Sequence, residues 1–395
     1  MDTMKTLVLR ASSCLLFGLL VCVNFHSEAA GQRTKAKVEL VFVGTYTNKT
    51  VSKGIYAYRF DERTGKFSAL GVGAESVDPS FVVVAPNGKF LYAVNELGNF
   101  GGAKSGAVSA YAIERGAGKL TLLNQVASGG ADPCALTFDQ TGKYLLVANY
   151  TGGNVAVFAL GEDGKVGART AFEQHTGHGV DPARQEGPHA HWMVTSPDNR
   201  FALSADLGLD EVVVDKFDAG KGTLTPHEPP FAKVEPGAGP RHLVFSPNEK
   251  FVYVTNEMGS TVTVFAYDAA AGTLEARQTI STLPRDFSGQ NTTAEIAVHP
   301  SGKFLYVSNR GHDSIAVFGI AAKTGELTTI GNFPTRGKEP RNFAIDPTGH
   351  YLLVANQNSN DIVVFRIDVS SGELGSTGEQ VEVPAPVDIA FGGAN

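Results

Sequence analysis

Six segments of this 395-residue chain are versions of one another. They are PSFVVVAPNGKFLYAVNE from Pro79, PCALTFDQTGKYLLVANY from Pro133, HAHWMVTSPDNRFALSADL from His189, PRHLVFSPNEKFVYVTNE from Pro240, TAEIAVHPSGKFLYVSNR from Thr293 and PRNFAIDPTGHYLLVANQ from Pro340. They recur about every fifty residues, a period that belongs to propellers and repeat arrays. Each reads as an apolar strand, a tight turn such as Pro86-Asn87-Gly88, and a second strand ending at Asn or Asp. Two further strands follow, for instance Ser314 to Ile320, then a hairpin at Thr324 to Leu327 and an outer strand. The recurrent Asn or Asp is read as a structural cap on its turn.

Four antiparallel strands per repeat predict a β-propeller blade. The chain ends supply a seventh. PVDIAF from Pro386 reads as a first strand with nothing after it, whereas LVFVGTY from Leu40, GIYAYRF from Gly54 and the strand after Gly65 lack a first. The expected fold is therefore all-β: a seven-bladed β-propeller, four antiparallel strands per blade, with the last blade closed by strands from both termini. Such closure leaves no sheet edge open.

Composition agrees and excludes other classes. Gly accounts for 45 of 395 residues, charged residues for 18% and hydrophobic residues for 42%, which fits a turn-rich globular chain and not a disordered or coiled-coil one. A formal charge of −7 offers no basic face to a phosphate backbone, so no nucleic-acid partner is expected. At the N-terminus, Lys5 and Arg10 precede an apolar run from Ala11 to Phe25 and the small residues of Ser27-Glu28-Ala29. This pattern predicts a cleavable signal peptide over residues 1–29, a single propeller domain over 30–395, and an exported protein, periplasmic or secreted. The run is too short for a stable membrane span. Cys14 and Cys22 would leave with the signal, so Cys134 would remain without a disulfide partner.

Blade geometry then sorts residues by rim. Adjacent strands are antiparallel, so the start of the innermost strand and the end of the second lie at one end of the blade, and the turn between them lies at the other. At the innermost-strand start the repeats carry Ser80, Cys134, His191, Arg241, Ala294 and Arg341, followed by Phe81, Ala135, Trp192, His242, Glu295 and Asn342. After the second strand they carry Glu96, Tyr150, Leu207, Glu257, Arg310 and Gln357. Charged and imidazole groups concentrate here, so function is expected on this rim.

The third repeat adds an insertion, His175 to His191, with four of the ten histidines of the chain. In an extended segment His189 and His191 would point to one side. Three readings stay open: an acid/base pair, a metal site that lacks a clear third ligand, or histidines bonded into a polar loop. Arg241 and Arg310 belong to neighbouring blades and can converge on a carboxylate or phosphate. Pairing with Glu257 or Glu295 is the alternative.

Several pieces go beyond what a propeller requires: Val43-Gly44-Thr45-Tyr46-Thr47, Arg184-Gln185-Glu186 leading into His189-Ala190-His191, Gly239-Pro240-Arg241-His242 with Asn256-Glu257, and Ser308-Asn309-Arg310-Gly311. In these the chain resembles the seven-bladed propeller lactonases, the family of the 6-phosphogluconolactonases, with the fungal carboxy-muconate lactonizing enzymes as relatives. The resemblance spans nearly all of the chain after residue 29. It implies hydrolysis of a small, anionic sugar lactone without a cofactor or metal. It assigns His191 or His189, Arg241 and Glu257 to catalysis, and Arg310, Arg184, Gln185, His242, Glu295, Gln357 and Arg341 to substrate binding. With no Gly-x-Ser-x-Gly elbow, water is expected to attack directly. Two other readings remain. Tyr253-Val254-Thr255-Asn256 is the YVTN string of binding propellers, and a lactone-forming cycloisomerase would run the same site in reverse.

Overall fold

The computed structural model describes residues 37–392; the expected signal over residues 1–29 lies outside them. Among the described residues there are 28 strands, arranged as seven four-stranded antiparallel sheets. Blade 1 joins Val38–Thr45, Gly54–Asp61 and Lys66–Glu75 to an innermost strand, Pro386–Phe391, from the other end of the chain. Blades 2 to 7 follow in chain order, with innermost strands Phe81–Val84, Pro133–Phe138, Ala190–Thr195, Pro240–Phe245, Thr292–Val298 and Pro340–Ile345. These seven strands neighbour one another in a closed ring, the last against the first. The propeller and its two-ended blade are as the repeats predict.

Burial follows the radial order. A second strand such as Tyr144–Asn149 is buried at every position because both its faces meet neighbouring blades, whereas a fourth strand such as Thr273–Ser281 is largely exposed. The recurrent Asn is structural: Asn256 Nδ2 donates to Thr261 Oγ1 and Thr263 Oγ1, both at 2.9 Å, and Asn309 Nδ2 donates to the Thr282 carbonyl at 3.0 Å.

One contact links neighbouring blades and accounts for much of the glycine. Gly325, in the hairpin between the third and fourth strands of blade 6, has φ 72° and lies flat on the Phe251 ring of blade 5, where a Cβ would collide. Beside it, the Tyr253 hydroxyl donates to the Gly325 carbonyl at 3.1 Å. Tyr306 repeats this with Gly372 at 2.9 Å and Tyr92 with Gly164 at 2.8 Å. At the closure, the Tyr351 ring packs on Gly65 and its hydroxyl donates to the Arg63 carbonyl at 3.3 Å. Each buried aromatic of this kind contributes about 1.5–3 kcal/mol of transfer free energy. The YVTN string is thus the second strand of blade 5, with all four residues at 0% exposure, and serves packing.

Candidate active site

The two rim positions singled out by the repeat come together at one channel mouth, around a cavity of ≈ 230 Å³. Innermost-strand starts supply Cys134, His191 and Arg341, second-strand ends supply Tyr46, Glu96, Tyr150, Glu257 and Arg310, and the inserted loop supplies Arg184.

A local irregularity aims the first group. The pairing of innermost with second strand slips between Pro133 and Ala135, Ala190 and Trp192, Pro240 and His242, and Pro340 and Asn342. Cys134, His191, Arg241 and Arg341 are therefore the extra residues of four β-bulges, which bend the strand and turn a side chain out of the regular alternation. Before each proline the backbone is left-handed, with φ 53° at Asp132, 64° at Gly239 and 60° at Glu339. Proline suits the strand start, where no ladder donor is required.

Glu257 is the electrostatic centre. Its Oε1 accepts from Arg184 Nη2 at 2.7 Å and its Oε2 from Arg241 Nε at 3.1 Å, while Arg310 Nη2, which donates to the Thr293 carbonyl at 3.0 Å, forms an ion pair with Oε2 at 2.9 Å. Burial alone would raise its pKa, but the charges of Arg310 and Arg241 outweigh it and hold the carboxyl well below the usual range. Arg241 and Arg310 do converge, as expected from their blades, and the anion they share is Glu257.

Behind Arg241 runs a buried polar chain. Arg241 Nη1 donates to the Ala294 carbonyl at 2.8 Å and to His242 Nε2 at 3.2 Å. Since His242 Nε2 accepts, its proton sits on Nδ1, which donates to Glu295 Oε1 at 3.3 Å. Glu295 Oε2 accepts from Asn342 Nδ2 at 2.7 Å. Burial, then the Arg241 charge, holds His242 well below 6.5, consistent with a neutral ring. Burial pushes Glu295 up to about 7 against the hydrogen bond from Ile296. His242 and Glu295, expected at the substrate, lie outside the cavity lining and fix Arg241 instead; Arg241 itself stands behind the wall, gripping Glu257.

His191 is different. Its imidazole lines the cavity, and its Nδ1 is buried without a partner. Burial, then Arg241 and His242, holds its pKa well below 6.5. His189 is not its twin. The bulge breaks the alternation on which their pairing depended, and His189 stacks on Tyr150 at 4.5 Å with Nδ1 3.1 Å from the Tyr150 carbonyl. Gln185 is also structural: it donates to the Leu207 carbonyl and Asp210, and accepts from Val180 and Asp181. Those bonds hold the loop that presents Arg184. Gln357 lines an adjoining groove.

Arg341 completes the site. Its guanidinium lies over the Tyr46 ring, 5.2 Å from the centroid, and makes no hydrogen bond or ion pair among the described residues. The Tyr46 hydroxyl donates to Glu96, 3.0 and 2.9 Å from its two oxygens. Cys134, Glu96 and Tyr150 stand at the rim positions of the repeat and Tyr46 in the Val43–Thr47 piece, but none of the four is given a site role by the sequence, although Glu96 and Tyr150 occupy the Glu257 position of their repeats. Burial pushes the Cys134 thiol up, so it is a wall and not a nucleophile. Among the described residues no three of His, Cys, Asp and Glu gather as a metal-ligand set.

A seven-bladed propeller with this mouth defines a class, and the sequence agrees: the chain belongs to the seven-bladed β-propeller lactonase family, whose model matches residues 40–391. Among its relatives, the 6-phosphogluconolactonase of Bacillus subtilis is 37% identical over 302 residues, covering 76% of this chain and 83% of the relative. Two solved structures superpose closely. The periplasmic gluconolactonase PpgL of Pseudomonas aeruginosa has TM-score 0.85 and 35% identity, covering 91% of this chain and 100% of the other. A putative 6-phosphogluconolactonase of Bacteroides fragilis has TM-score 0.83 and 38% identity, covering 91% and 99%.

Proposed function

We propose that this protein is a lactone hydrolase that opens a sugar lactone by direct attack of water in the channel-mouth cavity. The observation that carries the reading is the meeting, in one small chamber of a lactonase-family propeller, of an unpaired guanidinium, Arg341, and an unpartnered neutral imidazole, His191. The chamber is smaller than the roughly 300–1,000 Å³ typical of larger ligands, and suits one sugar ring. Its lining carries three arginines, Arg184, Arg310 and Arg341, against two carboxylates, Glu96 and Glu257, a net charge of one positive. That balance favours an anionic lactone and the oxyanion formed from it.

In this mechanism His191 takes a proton from water as the oxygen bonds to the carbonyl carbon. Arg341 and Arg310 stabilise the resulting oxyanion. When the bond to the ring oxygen breaks, the same imidazolium returns the proton to that oxygen, and the open hydroxy acid leaves. Glu257, with both oxygens held by guanidiniums, positions Arg184 and Arg310 and does not act as the base. We read residues 1–29 as an export signal, in keeping with the periplasmic relative from Pseudomonas aeruginosa.

The test is acid release from a panel of sugar lactones, with and without chelator. Hydrolysis well above the spontaneous rate, unaffected by chelator, is expected. Failure to accelerate any lactone would overturn the assignment.

A further inference from the structure

The cavity does not end at Tyr46. Beyond the Tyr46–Glu96 pair, which lines both spaces, lies a second hollow of ≈ 450 Å³ that includes Asn48, Asp78, Gln357 and Asn358. Its chemistry is opposite to that of the first. It contains no cation; Asp78 and Glu96 make it repel phosphate or carboxylate. Its other polar groups are neutral, the hydroxyls of Tyr46 and Thr50 and four amides, and the amides of Asn48, Gln357 and Asn358 make no side-chain hydrogen bond among the described residues. An amide of this kind offers two donors and an acceptor, which match a sugar hydroxyl that both gives and takes a hydrogen bond.

The ligand that fits both hollows has two ends. One carries the carbonyl and any negative charge, and belongs over Arg341; the other is uncharged and rich in hydroxyls. The first hollow, at ≈ 230 Å³, has room for about one sugar ring, so a ligand that also occupies the second carries a further hydroxyl-rich unit. We infer that the adjoining groove is a glycosyl subsite, and that the substrates include aldonolactones bearing a second sugar unit, with the lactone ring in the arginine cavity. The inference rests on the lactonase reading above and names the substrate class for that site.

The test compares glucono-δ-lactone with cellobiono-δ-lactone, a disaccharide aldonolactone, using the full-length protein and the double variant Asn48→Ala/Asn358→Ala. Both asparagines are exposed and outside the strands, so the fold tolerates their truncation. For the wild type, kcat/KM is expected to be about tenfold or more higher on the disaccharide lactone, the worth of one or two well-placed hydrogen bonds. The double variant should lose that advantage and keep its activity on gluconolactone. Equal rates on both lactones in the wild type, or a double variant that loses both activities alike, would overturn the subsite. If neither lactone is hydrolysed the lactonase reading fails, and calorimetric titration with cellobionic acid then decides the groove. Binding weakened about tenfold in the double variant supports the groove; binding that is absent or unchanged rejects it.

Discussion

Arg341 rests on the face of Tyr46, 5.2 Å from the ring centroid, while the hydroxyl of the same tyrosine is tied to Glu96. The aromatic face, not a carboxylate, positions the cation and leaves its five N–H groups for a ligand. The ring and the hydroxyl are separable by mutation. Tyr46→Phe keeps the ring and should retain kcat/KM within a few-fold, whereas Tyr46→Ala should lower it by about 5- to 30-fold, the worth of a desolvated cation–π contact. Equal losses in both variants would move the role from the ring to the hydroxyl.

His191 predicts the acid side of the pH profile. Burial, then Arg241 and His242, holds its pKa well below 6.5, so the base is in its reactive form throughout neutral pH. kcat/KM should stay level down through pH 6.5 and fall only in more acidic solution. His191→Asn should cost about 10²–10⁴ in kcat, the usual worth of a positioned acid/base. An acid limb centred at or above 6.5 in the wild type would contradict the assignment.

Glu257 couples the site to stability. Removing its charge leaves Arg184, Arg241 and Arg310 facing one another, and breaking a buried ion pair from one side typically costs about 3–5 kcal/mol. Its folded pKa lies well below the ordinary glutamate value of 4.5, so its contribution is present in full above that value and is lost as pH falls toward the folded one. Urea unfolding of Glu257→Gln should show the full loss at pH 7 and a smaller one near pH 3. A loss that does not shrink with acid would contradict the arginine cage.

A second buried carboxyl works the other way. Asp215, in Glu211–Asp218 of blade 4, is pushed up to about 8 by burial and then by the neighbouring carboxyl of Glu173 from Val166–Gln174 of blade 3. A raised acid pKa lowers stability as pH climbs from the unfolded value near 3.8 toward the folded one. Asp215→Asn should therefore raise Tm at pH 8 and leave it almost unchanged at pH 4, as thermal unfolding at the two pH values would show.

How far the sequence led can be seen residue by residue. Blade number and closure were legible because strand, turn and strand recur with an Asn at a fixed place, and the orphan strand from Pro386 matched the orphan trio from Leu40. Glu257, Arg310 and Arg341 were legible as charges in a repeat position that other blades fill otherwise. Position alone did not separate touching the cavity from standing behind it: Arg241 and His242 are adjacent in sequence to the same rim, yet their hydrogen bonds run inward to Ala294 and Glu295. The pairing of His189 with His191 failed because alternation assumes one unbroken strand, whereas His189 precedes the strand and His191 is itself the bulged residue. Gln185 looked like a ligand group because four local bonds leave no trace in a sequence. Tyr46 and Glu96 are visible in the sequence, one in the Val43–Thr47 piece and one at the rim, but their joint role is not, since it lies in a contact between residues 50 positions apart.

The central claim is that the unpaired guanidinium of Arg341 makes this cavity a site for anionic sugar lactones. The most direct measurement is kcat/KM for 6-phosphogluconolactone and for unphosphorylated glucono-δ-lactone, in the wild type and in Arg341→Ala. The wild type should prefer the phosphorylated lactone, and Arg341→Ala should lose that preference together with about 10²–10³ of its rate, the usual cost of removing one oxyanion donor. An Arg341→Ala protein that hydrolyses both lactones at wild-type rates would contradict the account.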